Sequence, residues 1–155
     1  MNNNKDILLN ALDQMLGLKV DGIKLGHGSF LTIDFGRKIE NKVKTGKGDK
    51  IAERGEWHLW VYMCPWRIDK QNTPWIGSND HRKLIEKKLC EINCGDLVQY
   101  KILNDSLDTC FIFNNDIVLS LFDCSVIEDE HWMLFTPDDH VFTLGPGNQV
   151  SYGLA

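Results

Sequence analysis

The chain has no lysine or arginine after Lys101, although its 155 residues include 17 of these basic side chains. Residues 102–155 hold nine acidic residues and have a formal charge of −9, whereas residues 1–101 hold 17 basic and 13 acidic residues, a charge of +4. Acidic side chains repel one another, so basic residues are normally interspersed among them. A long segment of one sign therefore indicates an electric field directed at a cationic partner, a feature that the total charge of −5 conceals.

Long apolar runs are also missing. A membrane-spanning helix needs about 18 or more consecutive apolar residues, and no such run occurs. The first four residues, a methionine followed by three asparagines, have neither the basic start nor the apolar stretch of a signal peptide. We therefore expect a protein without a membrane segment and with a cytoplasmic location.

The five cysteines do not suggest a disulfide framework, because their number is odd and the chain has no sign of export. Cys110 lies in the apolar run Cys110–Phe113, which is typical of a reduced, buried thiol. Cys90 and Cys94 are four residues apart, but no second pair at zinc-finger spacing follows them. We interpret these cysteines as packing residues.

Recognised catalytic signatures are absent as well. The sequence contains neither the Gly-x-Ser-x-Gly motif of serine hydrolases nor the His-Glu-x-x-His motif of zinc peptidases. The glycine-rich stretch at residues 45–50 lacks the first glycine and the Lys-Ser/Thr ending of a P-loop. No stretch has the ligand spacing of a calcium-binding loop. The sequence thus predicts no catalytic residue, no metal and no cofactor.

The size of the chain and its apolar fraction of 43% favour one domain over residues 1–155. Helical spacing of apolar residues predicts one helix between Asn4 and Gly17 and a second between Ser78 or Asn79 and Gly95. The apolar side of the second helix is predicted to hold Leu84, Ile85, Leu89 and Ile92. Two-residue alternation predicts strands at 23–25, 30–35, 57–63, 97–103, 109–113, 117–122, 132–136 and 141–144. The predicted fold class is α+β, with two helices packed on a largely antiparallel, strongly twisted sheet of about eight strands.

The order of elements in residues 1–76 is weakly echoed in residues 77–155. In each half a helix and strands precede a charged stretch, and an aromatic strand that begins near Trp57 or Trp132 follows. A degenerate internal duplication and a shared hairpin pattern both account for this echo. If the duplication is real, the charged stretches before the two aromatic strands occupy equivalent places and are expected to lie close together.

Residues 37–54 hold seven basic and three acidic side chains, which accounts for the +4 of the first segment. We predict that this stretch forms a mobile, solvated basic loop. Contact with nucleic acid through this loop is an alternative function, but the overall negative charge disfavours it.

Four of the five tryptophans lie between residues 57 and 75. Alternation along the first aromatic strand places Trp57, Leu59 and Val61 on one face and His58, Trp60 and Tyr62 on the other. One face is expected to be core, and the other is either packed or part of a recognition surface. His58 and His131 would form a hydrolytic site only if they met a carboxylate such as Glu56 or Glu130.

The acidic residues of the last third cluster around two successive turns. Together with two side chains of the tryptophan-rich segment, they are the candidate partner-binding residues: Asp123, Glu128, Asp129, Glu130, Asp138, Asp139, Trp66 and Arg67. Opposite fields accelerate association, and aromatic or arginine anchors supply affinity. The predicted partner is therefore a cationic protein rather than a membrane or a nucleic acid.

The segments 56–61, 64–67 and 131–137 look like parts of small uncharacterised bacterial proteins. In size, acidity, lack of an export signal and lack of a catalytic motif, the chain is similar to the immunity proteins of bacterial polymorphic or contact-dependent toxin systems. This resemblance implies a cytoplasmic inhibitor that neutralises a cationic toxin domain, such as a nuclease, by imitating the charge of its nucleic-acid substrate. The alternative is a small enzyme or ligand-binding domain with a tryptophan-rich pocket that contains His58 or His131.

Overall fold

The computed structural model describes residues 3–155, apart from the side chains of residues 29 and 41–44. It contains helices α1 (Asn3–Met15) and α2 (Arg82–Glu91) and a single 3-10 turn at His27–Ser29. The strands are β1 (Val20–Leu25), β2 (Leu31–Thr45), β3 (Gly48–Val61), β4 (Trp66–Lys70), β5 (Thr73–Gly77), β6 (Leu97–Ile102), β7 (Thr109–Phe113), β8 (Ile117–Leu121), β9 (Trp132–Phe135), β10 (His140–Leu144) and β11 (Val150–Leu154).

The strands form two antiparallel sheets, of six strands in the order β1-β2-β3-β9-β10-β11 and of five in the order β5-β4-β8-β7-β6. The α+β class and the antiparallel pairing are confirmed, but the prediction of about eight strands in one sheet is wrong. The strands that the alternation missed are β4, β5 and β11. Each has five residues, and β5 contains Pro74, which lacks the backbone N–H of a regular strand residue.

The two sheets pack face to face around one apolar core. Phe35 of β2 stacks on Phe113 of β7 with 6.3 Å between ring centroids. Phe111 of β7 meets Trp132 of β9 edge to face at 6.0 Å. Because each pair joins one sheet to the other, these aromatic contacts show where the two inner faces meet.

Helix α1 has the predicted amphipathic pattern, with Leu8, Ala11, Leu12 and Met15 buried. The Asn4 side chain donates to the carbonyl of Val150 at 3.0 Å and so ties α1 to β11. Helix α2 begins later than predicted, and Leu84 is exposed while Ile85 and Leu89 are buried. Neither helix of the described chain is long and apolar enough to cross a membrane.

Residues 37–54 form a two-stranded ribbon rather than the predicted loop. The pairing runs from Lys38 opposite Gly55 to Thr45 opposite Gly48, and the turn between them is Gly46-Lys47. β1 pairs with β2 only up to Phe35, and β9 pairs with β3 only from His58 onward, so the ribbon continues beyond the sheet. Basic residues are compatible with strands when both faces of a ribbon are exposed to solvent. Charge alone therefore did not distinguish a ribbon from a loop.

Candidate functional site

The predicted partner-binding residues lie in different environments. Glu128, Asp138 and Asp139 are exposed, Asp129 and Glu130 are half-buried, and Arg67 is exposed, where its Nε donates to Asp69 at 2.7 Å. Trp66 and the carboxylate of Asp123 are buried. Trp66 alternates with Ile68 along β4 and points into the core, and Asp123 turns inward directly after β8. These two side chains are therefore not part of a surface patch.

The loop Cys124–Glu130, called here the acidic loop, presents two aliphatic side chains to solvent. Val126 is 78% exposed and Ile127 is 83% exposed, and three acidic residues follow them. Exposed aliphatic residues at a loop tip do not stabilise a fold, because they gain no burial there. Sequence reasoning missed both residues, although two β-branched aliphatics beside an acidic run were a visible signal.

The acidic loop is held by hydrogen bonds at its base. The carbonyl of Ser125 accepts from Nε2 of His131 at 2.8 Å and from the backbone N–H of Gly147 at 2.9 Å. The hydroxyl of Ser125 accepts from the N–H of Asp129 at 3.1 Å. The loop tip is thus presented on a fixed base, and a binding loop of this kind loses less conformational entropy on association than a free one.

Asp123 and His131 form a buried pair below the acidic loop. Nδ1 of His131 is 3.1 Å from Oδ2 of Asp123, and the two side chains are 0% and 2% exposed respectively. Burial raises the pKa of Asp123 to about 6, and Asp108 adds to this rise, although the nearby His131 opposes it. The arrangement leaves one proton between the two facing atoms, since bare Nδ1 and a bare carboxylate would repel each other.

A second histidine pair lies on the outer face of the six-stranded sheet. Nδ1 of His58 is 2.6 Å from Oδ1 of Asp34, which also accepts the backbone N–H of Gly55 at 2.9 Å. Burial acts to raise the pKa of Asp34, but these two hydrogen bonds outweigh it and the pKa is lowered. Asp34 was not among the candidate residues, because only the β2–β3 register places it opposite His58.

The histidines therefore meet carboxylates other than the predicted Glu56 and Glu130. The strands that carry them are neighbours, since His58 lies opposite Phe135 and Val61 lies opposite Trp132. His131 directly precedes β9, so it is about four residues, or ~13 Å, along the sheet from His58. The two pairs do not form a common site.

The tryptophan-rich segment is divided between core and surface. The face with Trp57, Leu59 and Val61 is buried, while His58, Trp60 and Tyr62 stand half-buried on the outer face. Tyr62 and Trp66 line a cavity of about 480 Å³. Neither His58 nor His131 lines this cavity, so the aromatic pocket and the histidines of the enzyme interpretation are separate.

The basic ribbon and the acidic third meet at Arg54. Its Nη2 donates to the carbonyl of Thr136 at 3.3 Å and lies 3.9 Å from Oδ1 of Asp139. The guanidinium also lies over the ring of Phe135, 5.9 Å from its centroid. Charges of opposite sign thus do come together, but at the turn after β9 and not at the acidic loop before it.

All five cysteines are free. Cys64 and Cys94 are buried, Cys110 is half-buried, and Cys90 and Cys124 are exposed, so the expectation of buried thiols is confirmed only for the first two. Burial raises the pKa of Cys94 to about 11 and raises the pKa of Cys64 further, with the charge of Asp123 as the next cause. Neither buried thiol is an activated nucleophile.

The described side chains contain no group of three His, Cys, Asp or Glu residues that is arranged to hold a metal ion. Comparison of the chain with family models, with curated proteins and with solved structures finds no match.

Proposed function

We propose that the chain is a cytoplasmic binding protein of the immunity type, which inhibits a cationic protein such as the nuclease domain of a bacterial toxin. The observation that carries this proposal is the acidic loop, where Val126 and Ile127 stand 78% and 83% exposed beside Glu128, Asp129 and Glu130. An apolar tip that is surrounded by acids suits a partner whose apolar contact area is bordered by lysine and arginine.

The charge distribution supports the same kind of partner. The acidic loop and the turn that contains Asp138 and Asp139 belong to a segment with no basic side chain. They lie at the two ends of β9, so their negative field extends along this strand. Such a field accelerates encounter with a cationic protein at low salt, and the buried apolar tip then slows dissociation.

At His131 the geometry gives little support to catalysis. In a catalytic histidine one nitrogen is oriented by a carboxylate while the other faces the reacting group. Nε2 of His131 instead donates to the carbonyl of Ser125, and Nδ1 faces Asp123. Both nitrogens are thus occupied by the protein itself, which favours a structural role for this histidine.

The proposal is tested in two steps with the purified chain. A lysate of the source cell, applied to the immobilised chain at low and at high salt, supplies candidate basic proteins. Stopped-flow kinetics then compare the wild type with the variant Glu128→Lys/Asp138→Lys/Asp139→Lys. We expect its association rate constant to fall by about tenfold or more at low salt and to differ less at high salt.

A matched control reverses three exposed acids of the ribbon, Glu40, Asp49 and Glu53. It changes net charge by the same amount, and we expect a much smaller effect on the association rate. The partner's own activity is measured in parallel, because the proposal requires that the bound chain inhibit it. Equal rates for wild type and both variants, or full activity of the bound partner, would contradict the proposal.

A further inference from the structure

A cavity of about 310 Å³ lies beneath the acidic loop. Its walls come from the segment between β6 and β7, from the loop after β8 and from the turn between β10 and β11. The residues that line it are Asp105, Ser106, Asp123, Ser125, Val126, His131, Gly147 and Asn148. Two are acidic and none is lysine or arginine, so the lining is polar and negative.

Asp123 is the unusual member of this lining. Its side chain is 2% exposed, Oδ2 faces Nδ1 of His131 at 3.1 Å, and Oδ1 has no hydrogen-bond partner. The neighbouring Asp108 differs, because its two oxygens accept the backbone N–H of Asp123 at 2.8 Å and the amide of Asn104 at 2.9 Å. A buried carboxylate oxygen without a donor is costly, and a donor that a ligand brings to Oδ1 would lower that cost.

The groups around Asp123 determine which ligand fits. Asp105 and Asp108 face it from the segment between β6 and β7, Cys64 from the residues after β3, and His131 from the residue before β9. Nε2 of His131 already donates to the carbonyl of Ser125 and is not available to a ligand. An anion is therefore disfavoured, and a metal ion lacks its three ligands among the described side chains. A cation with several N–H donors fits this set.

Val126 lines the same cavity and is 78% exposed. An aliphatic wall beside buried and exposed carboxylates suits a side chain that has an apolar stem and a cationic end. Arginine and lysine have this construction, and the guanidinium also offers five N–H donors in one plane. The lining also offers acceptors for the remaining donors, in the hydroxyls of Ser106 and Ser125 and the amide oxygen of Asn148.

We infer that this cavity is a binding site for one arginine or lysine side chain of the partner, with Asp123 as its buried counter-ion and Asp105 as the outer one. The inference rests on the proposed function only in that the partner protein supplies this side chain. The cation pairs with Oδ1 of Asp123, and the proton between Oδ2 and Nδ1 of His131 stays in place.

The experiment uses the whole chain and a small probe, N-acetyl-arginine N-methylamide. Its uncharged isostere, N-acetyl-citrulline N-methylamide, is the matched control ligand. Titrations followed by amide NMR should show saturable shifts at Ser106, Ser125 and Gly147 with the arginine probe, and none with the citrulline probe. Lysine in the same blocked form tests the second cation.

Three variants connect the shifts to the cavity. Asp123→Asn keeps the size of the side chain and should weaken binding by about tenfold or more, as should Asp105→Asn to a smaller extent. Asp49→Asn, which removes an exposed acid of the ribbon outside the cavity, should leave the affinity unchanged. If Asp123→Asn does not fold, Asn148→Lys replaces it, because its own ammonium should occupy the cavity and abolish the shifts.

Equal shifts with both probes, shifts centred on Asp138 and Asp139, or an affinity that none of the cavity variants changes would overturn the inference. These results would leave the proposed function intact if reversal of the surface acids still slowed association with a basic protein. In contrast, specific binding of the arginine probe by a chain that inhibits no basic protein would retain the cavity site and remove the proposed function.

Discussion

Nδ1 of His131 lies 3.1 Å from Oδ2 of Asp123 in the interior of the protein. The same imidazole donates from Nε2 to the carbonyl of Ser125, at the start of the loop that exposes Val126 and Ile127. His131, which directly precedes β9, therefore contacts both Asp123, which follows β8, and Ser125 at the base of the acidic loop. Changes at this pair should affect both stability and the presentation of the loop.

The first prediction concerns stability against pH at Asp123. Because the pKa of Asp123 is raised to about 6, the folded state holds this proton more tightly than the unfolded state does. This contribution to stability is present at low pH and is lost as the pH rises through about 6. In Asp123→Asn the amide supplies a permanent donor, so we expect its stability relative to wild type to improve from pH 4 to pH 7.

Urea unfolding of both proteins across this pH range measures that difference. Asp105→Asn, at an exposed acid of the same cavity, is the control and should show a smaller change. If the free energies of unfolding of wild type and Asp123→Asn differ by the same amount at every pH, the assignment of the shared proton to this pair is contradicted.

Asp34 should respond in the opposite direction. The hydrogen bonds from His58 and Gly55 lower the pKa of Asp34 despite its burial. The stability that this gives is present above the ordinary pKa of 3.8 and is lost as the pH falls through the lowered value. Asp34→Asn should therefore destabilise the protein at pH 7, by ~1–2 kcal/mol, with a gap that narrows in acid.

The measurement is again urea unfolding, now at pH 7 and at successively lower pH. Asp49→Asn, an exposed acid on the ribbon, serves as the matched control and should cost less than ~0.5 kcal/mol. If the stability difference between wild type and Asp34→Asn widens in acid, a group other than Asp34 determines the pH dependence.

A third prediction concerns Gly145, whose Cα packs against the imidazole of His131. Gly145 has a φ of +90°, and a Cβ at this position would lie 2.7 Å from Nδ1 of His131. Gly145→Ala should thus destabilise the fold by about 2 kcal/mol or more, from backbone strain and displacement of the buried pair. Gly153→Ala, where a Cβ meets nothing within 4 Å, should change stability by less than ~0.5 kcal/mol.

Thermal unfolding of Gly145→Ala and Gly153→Ala measures the two losses of stability. An NMR spectrum of Gly145→Ala should also show its changes at Ser125 and His131. Equal melting temperatures for both variants would mean that the contact with His131 is not restrictive.

The fourth prediction separates packing from charge at Arg54. The side chain is 12% exposed and its Nε and Nη1 are buried without hydrogen-bond partners, while Nη2 donates to Thr136. Arg54→Met keeps the contact with Phe135 and removes the unpaired donors, so its stability should stay within ~1 kcal/mol of wild type. Arg54→Ala should cost ~1–2 kcal/mol through lost packing.

Chemical denaturation of both variants and of Asp139→Asn tests this order. Asp139 is exposed, so its removal should cost less than ~0.5 kcal/mol. If Arg54→Met loses as much stability as Arg54→Ala, the loss comes from the missing charge and not from missing packing.

Local patterns in the sequence predicted individual elements well. Helix α1 and the division of residues 57–62 into two faces follow directly from helical and two-residue periodicity. The ribbon at residues 37–54 was mistaken for a loop because charge reports exposure and not backbone conformation. The internal duplication, the single domain and the function remain predictions.

The candidate site was predicted less well, for a physical reason. Asp123 was assigned to the surface because it belongs to an acidic segment, yet it lies buried beside His131. Asp34 was overlooked, and it lies opposite His58 only through the β2–β3 register. Burial of one carboxylate within a run of exposed ones depends on which strands are neighbours, and no local pattern records that.

The sequence by itself determined the distribution of charge, the α+β class and the antiparallel strands, since these follow from composition and from periodicity along the chain. Only the tertiary structure decided that the strands form two sheets, that Arg54 meets Asp139, and that the buried side chains of Asp123 and His131 line one cavity beneath an exposed apolar tip. These relations join residues that are distant in the chain. They depend on strand order and register, which long-range packing sets.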